Sequence, residues 1–534
     1  MSLFKSIATF GGFTFVSRIT GFLRDMVLAN MLGAGAISDA FFVSFKLPNL
    51  FRSLFAEGAF TSAFVPIFSQ KLVSEGQKKS MFFASRAVSV LVFFLLIFVL
   101  LFEVFMPAIV HVLAPGFAGD AGKIELAISL CRITFPFLLF ISVVSFQAGI
   151  LNSLEKFAAP AAAPIILNLG MIAAAFIFVP FSVTPAHGFA VGITFAGFLE
   201  IIWLAYFLHK QNVRITPYLS IGKIMRDSEI KTLFKRIAPG VVGAGIYQIN
   251  MVVDTILVSL VGTGAISWLY YANRLQQLPL GVVGAAISVA LLPILSKQLK
   301  AGDKEGSAQS QNKAVEYGAL LSFPAAVLMI VLATPVINIL FEHGKFNAED
   351  TAMTAMAVRA YSVGLPCYVL VKALMPNFFA RGDTVTPVKY SAVVFLTNLI
   401  CCLLLMKTFG HVGIATATTV AAFVSLAQYV HGLKKRGFWQ LTPELCVKML
   451  KIAFCSVFMG SMVYVAELGI NRIIGNWLQL GIALKLCLLS AFGIFGLATF
   501  LIMAKITKVL DISEVLKLFY KRGKNAKQTA MEHR

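Results

Sequence analysis

Apolar stretches of membrane-spanning length recur along the whole chain, and they leave it one class of fold. A helix needs roughly 20 apolar residues to cross a bilayer. About 14 stretches reach that length, centred near residues 20, 55, 98, 140, 170, 198, 250, 282, 326, 367, 396, 422, 457 and 492. Lipid offers no hydrogen bonds to the backbone, so repeated spans of this kind are helices. Only 13% of the 534 residues are charged, against about 25% in soluble domains. The expected fold is therefore an all-α polytopic membrane protein. The first apolar stretch follows Lys5 as a secretory signal would. It runs past Arg18 towards residue 32 without a clear cleavage site, and so reads as a retained span.

The formal charge of +21 raises the question of nucleic acid, and its placement answers it. With loops assigned alternately and the N-terminus inside, most basic residues outside the spans fall on one side. They are Lys71, Lys78, Lys79 and Arg86, the run from Lys210 to Arg236, Lys297 to Lys313, Lys434 to Arg436, and the tail from Lys505. The other side holds Lys123, Lys345, Lys407 and Arg472. This is the positive-inside pattern, and it predicts both termini in the cytoplasm, with the excess charge attracted to anionic membrane lipids. No basic and aromatic module stands outside the spans, so nucleic acid is not an expected partner. The seven cysteines lie in or near spans and show no C-x-x-C spacing; the seven histidines are scattered. Neither set predicts a metal site. No P-loop or Ser–His–Asp set is present, so neither ATP-driven transport nor an enzyme is expected.

Part of the chain is duplicated. "GAGAISDAFFVSFKLPNLFRSLFAEGAFTSAFVPIFSQKL" (33–72) and "GTGAISWLYYANRLQQLPLGVVGAAISVALLPILSKQL" (262–299) open and close alike. Pro66 and Pro293, Arg132 and Arg359, and Pro160 and Pro387 are each 227 residues apart. Each copy holds about six spans, an even number, so both enter the membrane in the same sense. The expected plan is two parallel six-helix repeats around a central cleft, plus two C-terminal helices. Its segments are an N-terminal bundle (1–208), a cytoplasmic linker with an interfacial helix (209–236), a C-terminal bundle (237–433), the two extra spans (434–507) and a basic cytoplasmic tail (508–534). The copies differ in charge. Asp39 falls opposite Trp268, and Lys46 opposite Leu275.

About nine basic residues lie within spans, where a charge at mid-depth costs at least about 2.5–3.5 kcal/mol. They are tolerated where they face a cleft instead of lipid. On the first helix Arg18, Gly21 and Asp25 share a face, and Arg24 stays within a broad arc of it. The second span adds Asp39, Lys46, Arg52 and Glu57. Arginine suits an anionic, phosphate-bearing ligand because its planar fork grips oxygen pairs and keeps its proton. The alternative is that Arg18/Asp25 and Arg52/Glu57 are structural pairs; the excess of arginine over acid argues against it. Asp254 stands alone in the seventh span with Asn250 one turn away. With Asn398 and Thr418 it would form a cation site for Na⁺, or by itself carry a proton; a buried, protonated Asp254 is the alternative. No further cofactor is expected.

The stretches "SRITGFLRD", "GAGAISDAFFVSFKLPNLFR", "FAEGAFTSAFVPIF" and "SWLYYANRLQQLP" resemble the MurJ/MviN family of lipid II flippases, within the multidrug/oligosaccharidyl-lipid/polysaccharide exporter superfamily. The resemblance covers nearly the whole chain. It implies a bacterial inner-membrane protein that moves lipid II, the undecaprenyl-diphosphate-linked peptidoglycan precursor, outwards alongside the cell wall synthesis machinery. It places the family's cleft arginines at Arg18, Arg24, Arg52 and Arg274 and its second-span acid at Asp39. Many relatives have Asp before the arginine of span 8, where this chain has Asn273. Competing readings are a flippase for another polyprenyl-diphosphate saccharide, a drug or cation antiporter of the superfamily, a polyprenyl-phosphate glycosyltransferase and a division scaffold. An antiporter of cations would prefer an acidic cleft, and a glycosyltransferase would need carboxylates on a sizeable outside loop. The last two spans are candidates for a polyprenyl groove, or serve packing alone.

Overall fold

The computed structural model describes residues 3–53, 60–216, 218, 220–224 and 226–509. Among them every regular element is helical: α1 (Leu3–Leu32), α2 (Ala36–Phe51), α3 (Thr61–Ser74), α4 (Gly76–Leu113), α5 (Ala121–Thr134), α6 (Phe137–Ser153), α7 (Ala158–Ile177), α8 (Pro185–Lys210), α9 (Ile221–Ile224), α10 (Ser228–Ser259), α11 (Ala265–Pro279), α12 (Ala285–Lys300), α13 (Lys304–Val331), α14 (Ala333–Phe341), α15 (Ala348–Phe379), α16 (Val385–Lys435), α17 (Pro443–Ile474) and α18 (Ile482–Ile506). Among the described residues ten helical stretches are long and apolar enough to cross a membrane. One of them, α16, is broken at Gly410 (φ 57°, ψ −135°), so its 51 residues are two helices. The 14 spans of the sequence reading also include α1, the α2–α3 pair and α10. These three carry more charge, and the apolar part of α10 runs only from Gln248 to Ser259.

The duplicated motif has the same local structure twice. Gly35 and Gly264 each precede the first helical residue, Ala36 and Ala265, of a helix that runs into a π-helical turn. The break begins at Arg52 in the first copy and spans Leu280–Gly284 in the second. Pro66 and Pro293 then sit inside α3 and α12.

The chain folds into two compact units, Met1–Tyr270 with Phe341–Asp350, and Tyr271–Leu340 with Thr351–Arg534. The division falls inside α11, beyond the 209–236 linker, because the first turn of α11 bonds to Asp39 of α2.

Within the first unit α7 and α8 pack through small residues. Gly188, Gly192 and Ala196 recur every four positions on α8; Gly192 meets Ala174 and Ala196 meets Gly170 on α7, and Gly188 meets Val179 just past its end. A Cβ added at Gly170 would lie 2.7 Å from that of Ala196, so the helices touch backbone to backbone, as helices in lipid do. In the second unit α17 and α18 are not free spans. Ile452, Cys455 and Met459 join one buried cluster with Val315 and Ala319 of α13, and Trp477 and Phe492 join another with Leu332 and Ile339.

The loops of the first unit separate by charge. On one side Arg86 pairs with Asp227 and Glu229, and Lys71 with Glu229 at 2.5 Å and Glu75 at 2.7 Å. The turns at Gly33, Gly116 and Gly262 meet on the other side.

Candidate functional site

Arg24 is 7% exposed and knots three helices of the first unit. Its Nε and Nη2 donate to Asp25 Oδ1 at 2.9 and 2.6 Å, Nη1 to Asn168 Oδ1 of α7 at 3.0 Å, and Nη2 to the Tyr270 hydroxyl of α11 at 3.2 Å. Tyr270 in turn donates to Asp25 Oδ1 at 3.1 Å and stacks on Phe42, ring centres 3.9 Å apart. Asn168 holds its amide towards Arg24 by donating Nδ2 to the Ser17 carbonyl at 3.1 Å. A guanidinium with three neutral or shared partners keeps its fork geometry and can exchange a partner for phosphate oxygens.

Asp39 sits in the first turn of α2 with its side chain fully buried. Its carboxylate accepts from Lys123 Nζ at 2.8 Å, the Gly264 N–H at 2.7 Å, the Ser267 N–H at 3.1 Å and the Ser267 hydroxyl at 2.7 Å. Gly264 and Ser267 flank the start of α11, so Asp39 caps that helix from outside it, where a carboxylate meets free N–H groups and the positive end of the helix dipole. The acid that copy two lacks is thus supplied to it by copy one. Trp268, in the place of Asp39, donates its indole N–H to Asp350 at 3.1 Å. The loop before Asp350 closes on α1: the Lys345 N–H donates to the Asn30 carbonyl at 2.8 Å. A Cβ at Gly33 (φ 66°) would lie 2.6 Å from the Lys345 carbonyl oxygen. These contacts seal the Gly33 side of the first unit.

Arg52 begins the break after α2, with Nε donating to Asn49 Oδ1 at 3.1 Å. It lies within electrostatic reach of Glu200, a 1% exposed carboxylate of α8. Lys46 is drawn electrostatically to Asp254. Gln248 of α10 donates to the Ser53 hydroxyl at 2.8 Å, tying the break to α10. Arg18 is exposed; Arg274 is half-buried and Asn273 exposed on the second-unit part of α11. Glu57 lies outside the described residues. Asn398 and Thr418 belong to the second unit, where the Thr418 hydroxyl donates to the Ile414 carbonyl at 3.0 Å. Among the described residues no three His, Cys, Asp or Glu side chains cluster as a metal site.

The sequence reading passed over Glu200, Lys123, Asn168 and Tyr270. Glu200 had a signal, an acid in the apolar run "AGFLEIIW". Lys123 read as an ordinary loop charge. Asn168 and Tyr270 are 144 and 246 residues from Arg24, with nothing local to mark them.

The fold and the cationic cluster on α1 and α2 define the class: a polytopic α-helical membrane transporter with an arginine-bearing first unit. Residues 28–486 match the model of the family described as lipid II flippase MurJ. The chain belongs to that family. It is 34% identical over 521 residues to "Probable lipid II flippase MurJ" of Rickettsia prowazekii, covering 97% of this chain and 100% of the relative. Identity to the Rhizobium meliloti protein of the same name is 37%, with 87% of each chain covered. Among solved structures, "Lipid II flippase MurJ, inward closed conformation" matches with a TM-score of 0.77 at 27% identity, covering 93% of this chain and 98% of the other. An inward-facing MATE multidrug transporter matches with a TM-score of 0.63 at 14% identity, covering 79% and 94%, which shows a shared fold alone.

Proposed function

We propose that this protein flips lipid II from the inner to the outer leaflet of the bacterial inner membrane by alternating access, for use by the cell wall synthesis machinery. The observation that carries the reading is Arg24: a buried guanidinium, held by exchangeable partners, on the helix beside Arg18 and one span from Arg52 and Lys46. A diphosphate brings oxygens enough to replace the Asn168 and Tyr270 contacts without leaving the arginine unpaired, so binding and rearrangement are linked. By the positive-inside rule both termini are cytoplasmic and the Gly33 side faces outwards. The Asp39 and Lys345 contacts then close the outer side, the state that would admit substrate from the cytoplasm. Asp39 works in this account through that closure.

Reset of the empty carrier draws on the membrane potential, since no nucleotide motif is present. Asp254 is the lever for a coupling Na⁺ or H⁺. The Asn250 Oδ1 one turn away is buried without a hydrogen-bond partner among the described residues, which suits an oxygen ligand. Lys46 competes for the same carboxylate.

The test is equilibrium binding of lipid II to the purified full chain in nanodiscs, beside undecaprenyl monophosphate and an uncharged polyprenol. The reading requires the diphosphate to bind at least tenfold more tightly than the monophosphate, and Arg24→Ala to erase that margin. Equal affinity for all three lipids would overturn the diphosphate site.

A further inference from the structure

Three tight turns of the second unit border a basic cavity of about 650 Å³, within the usual size range of small-ligand pockets. They follow α12, α15 and α16, and each ends its helix with a glycine of positive φ: Gly302 (72°), Gly382 (76°) and Gly437 (63°). In each, the N–H of the residue after the glycine closes back on a carbonyl five residues earlier: Asp303 to Gln298 at 2.9 Å, Asp383 to Phe378 at 3.0 Å and Phe438 to Leu433 at 3.0 Å. This helix stop satisfies the last carbonyls internally. Beside the three turns stand Lys304, Arg381, Lys434 and Arg436, all lining the cavity.

One of these cations is compensated. Arg436 pairs with Asp383, whose carboxyl is held down to about 2 by the backbone N–H and hydroxyl of Thr386 first and by Arg436 after them. Asp303 is used in capping α13, through the Gly306 N–H at 2.8 Å, and Glu316 is taken by Lys448 at 2.5 Å. Arg381 has no acid partner among the described residues. Both of its hydrogen bonds run from Nη1 to Asn377, to the carbonyl at 3.0 Å and to the side-chain oxygen. Its Nε and Nη2 therefore remain as donors, and burial holds its guanidinium below the ordinary value. The guanidinium lies 4.1 Å over the Phe438 ring, which fixes its plane. Trp439 also lines the cavity, 5% exposed, its indole N–H donating to Asn312 Oδ1 at 2.6 Å.

We propose that this cavity is a second anion site, separate from the arginines of the first unit, which binds a phosphate-bearing headgroup or ion. The Arg381 fork grips the phosphate, and Lys304 and Lys434 supply the remaining charge. The turns carry the chain's basic loops, so they lie at the cytoplasmic membrane surface, where Trp also favours the interface. Two sources of the same chemistry reach that place, an anionic phospholipid of the inner leaflet and a soluble phosphate compound.

The test uses the full chain in nanodiscs. Phosphatidylglycerol retained through native mass spectrometry reads the lipid source. Inorganic pyrophosphate binding in pure phosphatidylcholine discs reads the soluble one. Three variants are compared with wild type: Lys304→Gln/Lys434→Gln, Arg381→Gln, and Lys78→Gln/Lys79→Gln as an equal loss of exposed charge on a first-unit turn. The proposal expects wild type and the Lys78/Lys79 variant to hold the anion alike. Each cation removed from the cavity costs about fivefold in affinity, as for a basic residue near an anionic surface. Retained phosphatidylglycerol with no pyrophosphate binding identifies the lipid; pyrophosphate binding that the cavity variants weaken identifies the soluble source, and pyrophosphate binding equal in all four proteins belongs to the first-unit arginines and counts against the cavity. If pyrophosphate does not bind and phosphatidylglycerol retention falls equally in the cavity and control variants, or in none, the basic side chains only complement the ends of their helices and the proposal fails. The exposed Lys304/Lys434 pair keeps the test open should Arg381→Gln misfold.

Discussion

The Lys123 ammonium donates to the Asp39 carboxylate at 2.8 Å, and both side chains are buried, at 5% and 0% exposure. Lys123 also lies 4.2 Å over the Phe117 ring. A buried pair of this kind contributes specificity more than net stability, but losing one partner strands a charge at a cost of about 3–5 kcal/mol. Asp39→Ala removes the cap of α11 and leaves Lys123 unpaired. It is expected to loosen the Gly33 side, so that a cysteine at Ala265, which is buried in the closed arrangement, reacts at least fivefold faster with a membrane-impermeant thiol reagent. Lys123→Met leaves Asp39 its three bonds from Gly264 and Ser267 and should give a smaller increase. Unchanged labelling in both variants would mean that Asp39 does not hold this side shut.

The arginines are expected to be sensitive to geometry as well as to charge. Arg24→Ala, Arg52→Ala and Arg274→Ala should each fail to support growth in cells depleted of the wild-type protein, at near-normal membrane levels. Arg24→Lys should rescue poorly, because one ammonium cannot make the divergent contacts to Asp25, Asn168 and Tyr270. Growth assays beside immunoblots of membranes check this; full complementation by Arg24→Lys would show that charge alone suffices.

Orientation can be read by cysteine labelling in intact cells. Cysteines at Gly35 and Ala348 should react from outside, and cysteines at Lys78 and Lys300 only after the membrane is opened. All four positions are free of a Cβ clash or exposed. The reverse pattern would invert the direction of transport.

Energy coupling divides into two effects. A potential of 100 mV supplies about 2.3 kcal/mol per charge moved fully across, and the empty, net cationic carrier is drawn towards the inside-facing state. Dissipating the potential with an ionophore should stop flipping. Asp254→Asn should slow it and remove any response to Na⁺ at fixed potential. Because Lys46 is drawn to Asp254, Lys46→Met should strengthen the cation response. A wild-type rate and Na⁺ response in Asp254→Asn would leave Asp254 a structural residue.

The knot of Asp383, Thr386 and Arg436 predicts a pH dependence. The Asp383 carboxyl is depressed from 3.8 to about 2, so its contribution is complete above about pH 4 and is lost as pH falls through about 2. Asp383→Asn should lower the thermal midpoint at pH 6, and the gap to wild type should close between about pH 4 and pH 2. A constant gap across that range would contradict the assignment.

The sequence made the repeat legible, because glycine and proline leave marks at fixed offsets; the π-helical turns at Arg52 and Leu280–Gly284 were seen only in the structure. It also made Arg24 conspicuous, since a charge in an apolar run needs a reason. It did not reveal what Arg24 holds. Asn168 and Tyr270 reach it from distant helices, and a lone Asn or Tyr in a span carries no periodic signal. Lys123 misled in the other direction, because a loop position says nothing about burial under Phe117. The basic cavity was hidden for the same reason: its cations look like ordinary positive-inside charges until three turns bring them together.

The central claim is that this chain carries lipid II across the membrane through its arginines. The most direct measurement follows lipid II in intact cells depleted of the wild-type protein, reading the fraction cleaved by an externally added enzyme that degrades lipid II. Wild-type protein should restore outside cleavage. A variant with Arg24, Arg52 and Arg274 all replaced by Ala should leave lipid II uncleaved and accumulating at the inner leaflet. Cleavage at the wild-type rate in cells that hold only the triple variant, properly inserted, would contradict the account.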